Sequence, residues 1–151
     1  MKKIGFFLLS MSLAISLFSQ GSDFETDIDI DCGANYWTST EYPVRLNIGI
    51  NEIKAQLADQ LTRYPEDLEV TTELTYRYKI TCTGQHVESY LESYKGQQHL
   101  GLSKRIKAIL DEICQWKPAI HMESPVNSFY NLTIVLTKGE IEVRPQNQNE
   151  K

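Results

Sequence analysis

At 151 residues, 41% hydrophobic and 23% charged, the chain has the length of one domain and the composition of an ordinary globular protein, which excludes a fibre or a disordered polymer. Its formal net charge is −5 and it carries no basic run. That excludes nucleic acid and anionic membrane surfaces as partners, since both reward clustered Lys and Arg.

Lys2 and Lys3 precede an apolar run from Ile4 to Phe18. The run is shorter than the ~20 residues a membrane span needs and suits the core of a signal peptide. Residues 1–19 are therefore expected to be a signal peptide, with Ser19 before the cut; the alternative is an uncleaved anchor helix. Its removal takes away two lysines and moves the net charge from −5 to −7. Residues 20–44 read as an extended acidic lead-in, with Asp23, Glu25, Asp27, Asp29 and Asp31 at every second position. Asp27, Asp29 and Asp31 imitate the start of a calcium loop. Cys32 then stands where the turn glycine belongs and Thr38 where the bidentate Glu belongs, so no metal is expected.

Ile50, Ile53, Leu57 and Leu61 fall at helical spacing, with Asn51 placed to cap the start and Tyr64-Pro65 to end the helix. Leu74, Tyr76, Tyr78, Ile80 and Cys82 then alternate with polar residues, predicting a strand with one buried face. Thr83-Gly84-Gln85 supplies a turn, and His86 to Tyr94 reads as the returning strand. After a connection over 96–102, Ser103 caps a second helix carrying Ile106, Ile109, Leu110 and Ile113. Lys117-Pro118 closes it, and His121 to Pro125 reads as a loop. Tyr130, Leu132, Ile134 and Leu136 mark a third strand, which Lys138-Gly139 turns or bulges and which Ile141 and Val143 would continue. The expected fold is α+β: a small three-stranded antiparallel sheet with two helices packed on it, in the order helix, strand, strand, helix, strand. It would occupy residues 45–144, followed by a polar tail over 145–151.

No catalytic constellation accompanies these elements. His86, His99 and His121 stand apart, and HExxH, GxSxG, P-loop and dinucleotide glycine patterns are missing. Neither enzymatic activity nor a cofactor is expected. The cysteines have a structural use: a helix running back toward the hairpin turn would bring Cys114 to Cys82, leaving Cys32 free or linking two chains. The alternative is that all three are reduced and merely buried.

Tyr64-Pro65 ahead of a strand, the hairpin around Gly84, an amphipathic helix ending in Trp116-Lys117-Pro118-Ala119, and Pro125-Val126 before the last strand resemble the TonB C-terminal domain over residues 60–144. The chain departs from that family at Thr71-Thr72-Glu73, where the family usually has a glycine, and at Leu102-Ser103, where it usually has Leu-Asp. The resemblance implies a periplasmic protein that receives a protein or peptide partner, such as a segment of an outer-membrane receptor, beside its last strand. The edge so implied runs over Asn131, Thr133, Val135 and Thr137, unless residues 20–44 cover it. Transducers of this family also carry a permanent anchor and a proline-rich linker, whereas the five prolines here are scattered. The expectation is thus an exported, stand-alone binding domain. A membrane-tethered transducer, and a carrier or structural subunit with a pocket lined by Tyr76, Tyr78 and Trp116, are the alternatives.

Overall fold

The computed structural model describes residues 32–145; the expected signal peptide, the acidic repeat before Cys32 and the end of the polar tail lie outside them. The elements in chain order are β1 (Arg45–Leu46), α1 (Ile50–Leu61), α2 (Pro65–Leu68), β2 (Thr71–Ile80), β3 (His86–Gly96), α3 (Leu102–Ile113), β4 (Trp116–Lys117), β5 (Ala119–His121), β6 (Ser124–Val126), β7 (Ser128–Thr137) and β8 (Glu140–Pro145). The fold is α+β, but its sheet has four strands where three were expected. They are antiparallel in the order β3-β2-β7-β8, accompanied by two-stranded ribbons β1-β4 and β5-β6.

The fourth strand comes from Lys138-Gly139. Both residues have positive φ, 44° and 90°, the geometry of a two-residue type I′ hairpin turn. Their amides donate to the carbonyls of Val70 and Leu68, so the link between α2 and β2 braces the reversal. Ile141 and Val143 thus do not continue the third strand; they return beside it.

The alternation in β2 and β7 puts Leu74, Tyr76, Tyr78 and Ile80 and Tyr130, Leu132, Ile134 and Leu136 on one face. The stripes Ile53, Leu57 and Leu61 of α1 and Leu102, Ile106, Ile109 and Leu110 of α3 cover it as a single cluster. Tyr78 and Ile109 share that interior. Each fully buried aliphatic side chain contributes about 1.5–3 kcal/mol, so this seam is the main stabilising element of the fold.

The helix starts differ from expectation. Gly49, not Asn51, is the N-cap of α1, because Ile50 already belongs to the first turn. Gly101, not Ser103, caps α3; its left-handed φ of 79° lets the chain turn so that Leu102 is buried at once. Tyr64-Pro65 does not close α1, which ends at Leu61. Pro65 instead begins the short α2, where its missing N–H costs nothing.

The folded unit also begins before residue 45. Trp37 bridges Ser128 and Tyr42 bridges Ile120, so 32–44 form a strap against the domain. The loop expected over His121–Pro125 is a hairpin, β5-β6, with Met122 and Glu123 both at positive φ. Among the described residues no helix is long and apolar enough to cross a membrane.

Candidate partner-binding surface

The strand that carries Asn131, Thr133, Val135 and Thr137 is not an edge. β7 pairs with β2 on one side and β8 on the other: Val135 stands opposite both Glu73 and Glu142, and Thr137 opposite both Thr71 and Glu140. Thr133 shares a 2.9 Å hydroxyl hydrogen bond with Thr75. These residues line the open face of the sheet, and the reversal at Lys138-Gly139 moves the edge outward by one strand.

The two real edges, β3 and β8, differ. The pairing of β3 with β2 shifts register between Thr75 and Tyr76 and again between Lys79 and Ile80. Such irregularities twist an edge away from further pairing. β8 runs against β7 without a shift. In a two-residue hairpin the flanking pair, Thr137 and Glu140, exchanges both hydrogen bonds, and the alternation of an antiparallel ladder then turns the N–H and C=O of Ile141 and Val143 away from β7. Beside this edge runs a groove of about 530 Å³ lined by Lys54 and Ala58 of α1 and by Glu140, Ile141 and Glu142. Nothing in the period-2 pattern marked β8, because six residues after an ambiguous Lys-Gly pair read equally as a continuation.

The Trp116 motif works as a joint. Trp116, 8% exposed, packs 4.8 Å from Tyr78 and 5.0 Å from Tyr130, centroid to centroid. Gly84 reaches against it at the hairpin turn with φ 81°, where a Cβ would stand 2.8 Å from the Trp116 carbonyl oxygen and 3.4 Å from Pro118. Ala119 is buried opposite Val126, and Pro125 stands opposite Ile120. Tyr64 remains exposed, its ring 4.6 Å from the Arg105 guanidinium. The structure therefore brings Gly84, Trp116 and Pro118 together, and keeps Tyr64 and Pro65 apart from them on the α2 side. Tyr76 and Tyr78 are fully buried core, so the three aromatics do not share a pocket; only Trp116 reaches a surface cleft, beside Gly84, His86 and Gln115.

The disulfide joins Cys32 to Cys82, not Cys82 to Cys114. Cys114 is free and buried at the end of α3. Burial, reinforced by the charge of Asp111, pushes its thiol up to about 12, so it is no nucleophile. The strap determines the pairing, since it carries Cys32 to the end of β2. Asn127, 2% exposed, completes the clasp: its Oδ1 accepts from the Cys82 N–H at 2.9 Å and its Nδ2 donates to the carbonyls of Cys32 and Gly33. A disulfide is the bond of an oxidising compartment.

The three histidines are scattered. His121 lies against Trp37, His86 against the edge of Tyr78, and His99 places Nδ1 2.5 Å from Asp67 Oδ1. Asp67 is wholly buried and ties α2 to α3 through Arg105 as well. This acid belongs to a structural ion pair, and sequence spacing could not have found it because its partners are 32 and 38 residues away. Among the described residues no group of three His, Cys, Asp or Glu is placed to hold a metal ion.

No family model, no curated protein and no solved structure matches the chain.

Proposed function

We propose that this chain is an exported, non-catalytic domain that takes an extended protein or peptide segment onto the free edge of β8, in the manner of the TonB C-terminal domains it resembles. The observation that carries this reading is the unbulged edge at which the N–H and C=O of Ile141 and Val143 face outward beside a groove. Main-chain hydrogen bonds to such an edge supply affinity, and the side chains next to it supply selection. An incoming strand would set alternate side chains against Ala58 and Ile141 and the others beside Glu140 and Glu142. The Cys32–Cys82 bond supports export, as does the apolar run at the N-terminus, and a periplasmic location with an outer-membrane receptor segment as partner follows from the resemblance.

A photoreactive residue placed at Glu140, in cells, tests the reading, with and without Val143→Pro. The N–H of Val143 points away from β7, so proline there spares the β7-β8 ladder and removes a donor only from an added strand. Discrete envelope adducts should form on the parent and vanish with V143P while the circular dichroism stays native. Adducts that persist in V143P, or a parent that forms none, would remove strand addition at β8 as the function.

A further inference from the structure

We propose a second binding site, independent of β8: the cleft between the strap and the β4-β5 segment, as a receptor for an extended peptide in which a carboxylate adjoins an apolar side chain. The cleft measures about 460 Å³ and is lined by Tyr42, Pro43, Arg45, Lys117, Pro118 and Ile120.

Its charge arrangement differs from that of the main sheet. On the main sheet, cations directly opposite acids are paired with them: Lys79 stands across from and pairs with Glu88, and Lys95 across from and with Glu73. On the β1-β4 ribbon, Arg45 stands directly across from Lys117, both side chains are exposed, and neither forms an ion pair among the described residues. Like charges directly opposite each other destabilise a ribbon. A chain with a net charge of −5 nevertheless puts two cations together at this point. A carboxylate set between them would relieve the repulsion and accept from both.

The floor of the cleft defines the rest of the ligand. Two proline rings, Ile120 and a Tyr42 ring that is 57% exposed give an apolar, conformationally stiff surface beside the cations. The strap is held there by reciprocal hydrogen bonds, Tyr42 N–H to Ile120 O at 3.1 Å and Ile120 N–H to Tyr42 O at 2.8 Å, so the cleft is formed before any ligand arrives. A polyanion such as nucleic acid would meet the net negative charge of the whole molecule. A single carboxylate flanked by aliphatic side chains meets only the local pair and the apolar floor.

The test uses the intact protein and a fluorescein-labelled nonapeptide in which a single central aspartate is flanked by isoleucines and the remaining positions are serine. Anisotropy should report saturable binding that weakens with salt and falls at least about tenfold for the same peptide with asparagine in place of aspartate. Arg45→Glu should also weaken binding by about tenfold or more. Because it turns a like pair into an opposite pair, its melting temperature should hold or rise by up to about 4 °C, so lost binding cannot be ascribed to unfolding. Val143→Pro should leave this binding unchanged, which separates it from the function proposed for β8. Absence of binding to the parent protein, or equal binding by R45E or by the asparagine peptide, would overturn the proposal.

Discussion

Arg105 holds the buried carboxylate of Asp67 with two arms, Nε on Oδ2 and Nη2 on Oδ1, each at 2.6 Å. The Asp67 side chain has no solvent exposure, whereas Arg105 keeps a quarter of its own. Loss of either partner is therefore unequal. Arg105→Met strands a buried anion and should cost about 3–5 kcal/mol; Asp67→Asn leaves a cation that water can reach and should cost about 1.5–3 kcal/mol. Urea unfolding of the two variants checks the order.

The same pair sets an acid limit. Burial pushes the Asp67 carboxyl up, but the hydrogen bonds and charges of Arg105 and His99 outweigh it and hold the carboxyl below its ordinary value. A depressed folded value contributes stability above the unfolded value, and that contribution is lost as pH falls through the folded one. The melting temperature of the parent should drop as pH is taken below about 4, and D67N should show a shallower drop over the same range.

Two neighbouring core tyrosines should respond to the same substitution in different ways. Tyr76 donates its hydroxyl proton to the Ser103 carbonyl at 2.9 Å, which fastens β2 to the first turn of α3. Tyr78 Oη has no hydrogen-bond partner among the described residues. Tyr76→Phe should destabilise by about 1 kcal/mol, and Tyr78→Phe should be neutral or stabilising. Equal losses for both in chemical denaturation would contradict this assignment of the hydroxyls.

Reduction should loosen the strap without dissolving the core. The Cys32–Cys82 bond spans 50 residues, for which chain entropy predicts a contribution of up to about 4 kcal/mol. The seam of α1 and α3 on the sheet excludes both cysteines. Under reductant the far-ultraviolet dichroism should persist while amides of 33–44 exchange faster. Cys114 should resist iodoacetamide until the protein unfolds, as its burial requires.

The hairpin β5-β6 is a place for gain. Met122 and Glu123 take φ of 49° and 62°, a conformation that favours Asn and Gly. Replacing the pair by Asn-Gly should stabilise by about 1–2 kcal/mol, read as a higher melting temperature.

The seam was legible because its two periods are unmixed: Leu74 to Ile80 and Tyr130 to Leu136 alternate strictly, and Ile106 to Ile113 keeps to one stripe. The Trp116 joint was legible only as a large side chain to bury: Lys117-Pro118 does not close the helix, which ends at Ile113 with Cys114 already extended, and Trp116-Lys117 forms the strand β4. β8 was not, because a Lys at the first position of a type I′ turn gives a weak turn signal, and here the turn is braced from outside by Leu68 and Val70. The cysteine pairing was not, because it depends on the strap, whose isolated bridges carry no repeat that a sequence pattern can reveal. The cleft at Tyr42 was hidden for the same reason.

β2 lies between β3, its neighbour in sequence, and β7, which comes only after residues 97–127. A polypeptide emerging from its N-terminus at about 5–20 residues per second completes one flank of this strand seconds before the material for the other exists. During that interval a row of apolar, hydrogen-bond-hungry backbone at the heart of the sheet is open to any stray strand. The cell that makes this molecule has reason to shield the nascent hairpin, and its aggregation should be a matter of timing more than of final stability.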